Sequence, residues 1–481
     1  MRPMSGVGLL GAVVLMAVPL WSGATGAAAT RSSVPPGSPA GAAGLLARLA
    51  SGAVEPLRMS ARQGGSAAPA AASLACLTNL NPSVTNPQCY SVQQLRTAYD
   101  VTPLLDSGIT GKGQTIVIIA LSSLPTLRSD VHAFDQLWGL SDPRLNIVAP
   151  FGATPFIDEP SAFAAEEVEI AHAIAPGAAI DVVQSPGITD NDTTVEKQVS
   201  EWLKPLRYAI DRRLGSVIDD DWGIAGESCF DSAFFRYQHT LFQQARARHI
   251  TVVAQSGFHG AGSFSCPSPA APATVVVPVT KETSGFNDPL VTTVGGTTLH
   301  ASVGTGAYQS ETTWNEDSAG FGASGGGFST VFPRPGYQDG IPGISGFRGE
   351  PDVAWDEAGE ATLPVLFTFN GTLTSSASTT GGPAWAGLVA LFDQYAGRPL
   401  GFLNQGLYRI LNSSFYRQAF HDVTTGDNSV TGSDANGNPV PITGYSAGPG
   451  WDPVTGVGSP RAAVLAPLLK RYVHADDGSA M

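Results

Sequence analysis

The stretch that most limits how this chain can fold is Pro383 to Tyr395, P-A-W-A-G-L-V-A-L-F-D-Q-Y, which carries one charge and apolar side chains around every face of a helix. A helix that is apolar all round must be covered on all sides, so it belongs at the centre of a sizeable core. Pro383 suits a first-turn position, where its missing N–H costs nothing. The residues before it, from Ser375 to Gly382, are small or hydroxylic. They let another backbone approach a helix N-terminus, where free N–H groups and the dipole favour negative charge. The stretch therefore suits either a core helix with a tight leading turn or the setting of a nucleophilic hydroxyl.

A core of that kind needs chain to build it. Met1 to Ala29 combines one Arg, an apolar run from Val7 to Trp21 and the small residues A-T-G-A-A-A, the three parts of a secretory signal peptide. The mature protein is expected to be secreted and extracellular, with no membrane association once that leader is gone, because no later apolar run could span a bilayer. Thr30 to Leu74 is dominated by Ala, Gly, Ser and Pro and reads as a tether, too poor in large apolar residues to fold alone. Residues 75–470 form the expected domain and 471–481 a polar tail. Four cysteines in two local pairs, Cys76 with Cys89 and Cys229 with Cys266, suit two disulfides in an oxidising compartment. With 26 Lys and Arg against 40 Asp and Glu, the net charge of -14 argues against nucleic acid as a partner. A monomer is expected.

From Gly108 onward, short β-branched runs alternate with helical stretches, the pattern of a mostly parallel α/β sheet covered on both faces. The strands are expected at Thr115–Leu121, Ile180–Val183, Ser216–Asp219, Ile250–Ala254 and Leu290–Val294. Helices are expected at Leu127–Trp138, Ala164–Ala173, Thr193–Arg212 and Asp231–Arg248, followed by the buried helix after Pro383. Gly401 to Pro460 reads as loops rich in Gly, Asn and Asp.

Several segments then fall in a recognisable order. They are Gly111-Lys112-Gly113-Gln114-Thr115, the run A-H-A-I-A-P-G-A from Ala171, Gly295-Gly296-Thr297-Thr298-Leu299, Gly325 to Ser329 with Phe332-Pro333, Pro351-Asp352-Val353-Ala354, and Gly448 to Pro453. Over roughly Cys89 to Leu468 the chain resembles the sedolisins, the serine-carboxyl peptidases, which implies a subtilisin-like α/β fold. A true subtilisin is disfavoured, since no His-Gly-Thr segment supplies an imidazole base.

The resemblance implies a Ser nucleophile, a Glu general base, an Asp behind it and a second Asp that stabilises the oxyanion. Every one of these positions departs from the pattern. The nucleophile stands four residues before the helix proline in the family, and that place holds Thr379, with Ser378 one residue out of register. The Glu and Asp, one helical turn apart, correspond to Phe163 and Glu167. The oxyanion Asp corresponds to Phe258. A Thr hydroxyl can act as a nucleophile if a base activates it, but Phe163 accepts no proton. Loss of a positioned base commonly costs ~10² to 10⁴ in rate and loss of an oxyanion donor ~10² to 10³. The two phenylalanines are expected to fill the cleft with apolar bulk. Glu166, Glu167 and Glu169 suit a solvated helix face equally well.

Asp219-Asp220-Asp221 precedes Trp222-Gly223 where the family resembles S-x-S-W-G, a strand edge lining the substrate groove. Strand alternation puts Asp219 and Asp221 on one face, where two like charges either take up a proton or attract a cation, unless the strand end is simply solvated. The resemblance also implies one calcium ion, a hard cation that prefers oxygen, held by Asp422 and Asp452 with the carbonyls of Val423, Gly448 and Gly450. His421 beside them reads as a surface or packing residue. The expected protein is a catalytically degenerate sedolisin homologue that keeps its calcium and binds peptides. The alternatives are an acid peptidase using Thr379 and Glu167, or an acid of the Asp219–Asp221 run, and a purely structural secreted domain. Active sedolisins resemble zymogens with a large prosegment, and the tether is too small and polar to be one.

Overall fold

The computed structural model describes residues 88–152, 156, 158–186, 195–221, 226–264, 276–278, 287–302, 304–319, 322–358, 362–363, 367–374, 380–434 and 438–473. The expected leader and tether lie outside the described residues. The central sheet has eight strands, β1 (Thr115–Ala120), β2 (Leu145–Val148), β3 (Ala179–Gln184), β4 (Val217–Asp219), β5 (Thr251–Gln255), β6 (Thr292–Ala301), β7 (Tyr308–Thr313) and β8 (Val353–Asp356). They run in the order β7-β6-β5-β4-β1-β3-β2, with β8 also on β6, and only β7 is antiparallel to its neighbour. Val294 of β6 is paired with both Gln255 of β5 and Val353 of β8, so those strands flank it on opposite edges.

Helices cover both faces, as the alternating pattern requires. They are α1 (Leu127–Trp138), α2 (Asp158–Ile174), α3 (Val195–Arg212), α4 (Ser232–Ala247), α5 (Gly381–Ala396), α6 (Asn404–Leu411) and α7 (Ala462–Tyr472). Along β1, Ile116, Ile118 and Ala120 join the apolar cluster that contains α1, α2 and α5, while Val117 and Ile119 join the cluster of α3 and α4. Period-two alternation thus feeds two cores from one strand. Helix α5 is buried from Gly381 to Asp393, as its sequence demands. At Gly387 it approaches α2 so closely that an added Cβ would lie 2.7 Å from Ile174 Cβ and 3.0 Å from the Ala171 carbonyl. Asp231 caps α4 by accepting from the N–H groups of Ala233 and Phe234.

Some elements differ from the expectation. Strand β2 is half-exposed and lacks a long apolar run, and β8 carries Trp and Asp in place of β-branched residues throughout. The strand expected at Leu290–Val294 begins at Thr292 and continues to Ala301. Gly401 to Pro460 is not all loop, since α6 forms there with Leu407, Tyr408 and Ile410 buried. Helix α7 runs to Tyr472, into the stretch expected to be polar tail. No helix among the described residues is long and apolar enough to cross a membrane. Cys229 is disulfide-bonded, while Cys76 and Cys266 lie outside the described residues.

Candidate active site and C-terminal loop

The ends of β4, β5 and β8 bring their following residues to the N-terminus of α5, against α2. This is the carboxyl edge of a parallel sheet, where open α/β folds place their sites. Asp221, just beyond β4, accepts from the Gln255 backbone N–H at 2.7 Å and from its Nε2 at 3.3 Å. Its carboxylate lies against Gly382, so closely that a Cβ there would collide with both oxygens. Glu357, just beyond β8, accepts the Gly381 N–H at 3.0 Å. Thr380 donates its hydroxyl to the Asp356 carbonyl at 2.5 Å. Two carboxylates thus occupy the first turn of the central helix.

The acids around them are buried. Glu166, Glu167 and Glu169 are 0%, 2% and 0% exposed, which overturns the solvated helix face. Asp219 and Asp220 are equally enclosed, so the solvated strand end is overturned too, and Asp221 is half-buried. Burial pushes Asp220 up to about 7, with Asp221 adding to the shift, and burial likewise lifts Asp221 to about 7 against the pull of Gln255. Glu167 is raised well above the usual carboxylate range by burial and then by Asp221, Glu166 and Asp220. Glu357 is raised by burial and Asp221. As a carboxylate, Asp219 would have no donor for either oxygen. With a proton it donates to Asp221, and burial together with Asp221, Glu167 and Asp220 holds it in that protonated state. Burial and the surrounding carboxyls favour the proton-bearing form of the pair. Trp222, Gly223, Ser378 and Thr379 lie outside the described residues.

The two phenylalanines pack against separate apolar clusters. Phe163, on α2, packs against the apolar cluster that holds Val117, Ile119 and Leu206. Phe258 packs with Trp314 and Ala358, its ring 4.3 Å from that of His259.

In the C-terminal loop, Asp422 Oδ1 accepts from the Gly450 N–H at 3.0 Å and the Tyr416 hydroxyl at 3.0 Å. Asp452 accepts at Oδ1 from the N–H groups of Val454 and Thr455, and at Oδ2 from the Gly448 N–H and the Thr455 hydroxyl. Gly450 adopts φ +83°, a conformation that favours glycine, whereas Gly448 does not have positive φ. Among the described residues no three His, Cys, Asp or Glu side chains gather as a metal site. A hard cation here would rely on two carboxylates plus carbonyls, and the donor set fits that chemistry: around the Tyr416 hydroxyl, acceptor oxygens outnumber the one available proton. His421 is a packing residue, buried and stacked on Tyr308 at 3.5 Å.

Sequence reasoning missed Glu357, Gln255 and Tyr416. For Glu357 a signal existed, the D-E pair ending an otherwise apolar strand. Gln255 and Tyr416 carry none, because only the fold brings them to their partners.

No protein-family model matches the chain. Kumamolisin of Bacillus sp. (strain MN-32) is 32% identical over 393 residues, 78% of this chain and 62% of that protein. Sedolisin of Pseudomonas sp. (strain 101) is 29% identical over 268 residues, 55% of this chain and 42% of that protein. Human tripeptidyl-peptidase 1 is 32% identical over 274 residues, covering 50% and 41%. The chain thus spans less than two thirds of the length of each of these relatives. The solved structure of Pseudomonas sedolisin, a serine-carboxyl proteinase, superposes with a TM-score of 0.67 at 24% identity, covering 81% of this chain and 100% of that one. The chain is a homologue of the sedolisin-family peptidases and carries the sedolisin fold.

Proposed function

We propose that this protein is a secreted sedolisin homologue that has lost the family's peptidase chemistry, binds peptides in the former cleft, and holds one calcium ion in its C-terminal loop. The observation that carries the loss is Phe163, whose ring is committed to an apolar cluster where the resemblance calls for a general base. Phe258 supports it at the oxyanion position. Asp221, the one residue of its acidic run that keeps partial exposure, would give the cleft a preference for peptides carrying Lys or Arg, weakening with salt. Equal binding of acidic and basic peptides counts against that preference. Asp422, Asp452 and the carbonyls of Val423, Gly448 and Gly450 would hold the calcium, which supplies fixed positive charge to a loop rich in oxygens.

The test is turnover of casein and mixed peptides by the mature protein between roughly pH 3 and pH 8, the span in which carboxylates and histidines titrate. The expected result is no measurable cleavage, unchanged by Thr379→Ala. Robust cleavage lost in that variant favours the second reading, an acid peptidase using Thr379 and Glu167. What supports that reading is the gathering of Glu167, Asp221 and Glu357 at the α5 N-terminus. Absence of both cleavage and peptide binding leaves a structural role.

A further inference from the structure

Tyr416 stands outside both segments expected to bind calcium, on the short helical turn Tyr416–Ala419 that leads into Phe420–His421. Its ring is buried and packs on Phe420 with centroids 6.1 Å apart, so the hydroxyl has a fixed position. That oxygen lies 3.0 Å from Asp422 Oδ1, 3.2 Å from the Gly450 carbonyl and 3.1 Å from the Val457 carbonyl. A phenol has one proton and can donate to only one of the three. The other two contacts then set oxygen against oxygen with no hydrogen between them. Such crowding is unfavourable alone and ordinary around a cation. When ligand oxygens sit ~2.4 Å from a calcium ion, neighbouring ligands fall roughly 3.0 to 3.4 Å apart. Asp422 and Gly450, at that spacing from Tyr416, are two of the expected ligands, while Val457 is not one of them.

We propose that the Tyr416 hydroxyl is a sixth, neutral oxygen of the calcium cage. It coordinates through a lone pair beside Asp422 and Gly450 and gives its proton to the Val457 carbonyl. This rests on the calcium reading above and extends it to a residue that neither sequence segment contains. A neutral oxygen adds a ligand without adding a further buried negative charge. It also ties the turn before Phe420 to the loop around Gly450, so the ion would clamp three stretches of chain together.

The experiment titrates calcium into chelator-stripped wild type and Tyr416→Phe by calorimetry, with thermal scans of both proteins in calcium and in chelator. Removing one oxygen should raise Kd by ~10-fold or more, the scale on which groups supporting a metal site act. The calcium-induced rise in midpoint should shrink, while the midpoint in chelator changes little. A mere hydrogen-bonding strut would instead lower both midpoints equally and leave Kd unchanged. In wild type labelled with ¹³C at tyrosine Cζ, calcium should move one resonance that is missing from Tyr416→Phe. If wild type gives no calcium response, the calcium reading falls and this inference with it. If wild type binds calcium but Tyr416→Phe binds as tightly, or no Cζ resonance moves, only the inference is overturned. Even if the variant does not fold, calcium binding by labelled wild type with no Cζ resonance moving overturns the inference.

Discussion

Gln255 grips Asp221 with two donors, its backbone N–H at 2.7 Å and its side-chain amide at 3.3 Å, whereas Asp219 has only Asp221 to turn to. That inequality decides which of the two acids holds the proton. Asp221 is the better anion because two neutral donors face it, and Asp219 is the acid.

The buried acids make stability depend on pH in an unusual sense. Asp220 and Asp221 titrate at about 7 when folded, and Glu167, Asp219 and Glu357 are raised as well. Unfolded, each would titrate at ~4. The folded chain therefore retains protons that the unfolded chain releases, so their contribution is full below ~4 and is lost as pH rises through about 7. Thermal midpoints should fall by roughly 5 to 10 °C between pH 5 and pH 8. A midpoint that is flat or rises over that interval contradicts this account.

Asp219→Asn isolates the shared proton. An amide donates to Asp221 at every pH, so the hydrogen bond stays and the titration goes. The downward slope of stability with pH should become shallower by up to ~1.4 kcal/mol per pH unit, one proton's worth. Urea unfolding at pH 5, 6 and 7 measures it, and an unchanged slope would mean that Asp219 does not hold the proton.

Gly387 sets how closely α5 lies to α2. Gly387→Val would drive methyl groups into Ile174 and the Ala171 carbonyl, both already within 3.0 Å of a Cβ. Overpacking of this kind costs ~1 to 3 kcal/mol, so the urea midpoint should drop clearly, and a neutral result would mean that the helices can separate without penalty.

Calcium should stabilise the folded state only. At a hundredfold excess over Kd the gain is about 2.7 kcal/mol, and Asp452→Ala should abolish it. Thermal scans with calcium and with chelator measure the difference. Identical midpoints in both conditions for the wild type would show that this loop is only a turn.

The parts of the fold that were legible are those where one strong pattern acts alone. Helix α1 runs from Leu127 to Trp138 as expected, and α5 extends the expected helix by only a few residues, because apolar periodicity with a clear stop fixes each. The candidate site was legible only by position. Glu166, Glu167 and Glu169 look like a solvated face because a run of acids normally is one. Only the packing of α5 and the strand Phe367–Phe369 against α2 makes them interior. Asp352, in the Pro351-Asp352-Val353-Ala354 segment, is likewise a framework residue, paired with buried Arg348 at 2.7 Å, and no local pattern announces its partner.

The first turn of α5 has a chemical consequence for inhibitors. Peptide aldehydes and phosphonates inhibit serine-type peptidases by forming adducts that place an oxygen anion beside a ring of N–H donors. Here the Gly381 N–H is already given to Glu357, and Asp221 lies against Gly382. In their ionised forms, which rising pH favours, these carboxyl groups would repel an incoming anion where those reagents require hydrogen-bond donors. Labelling by reagents of that class should therefore weaken as pH rises.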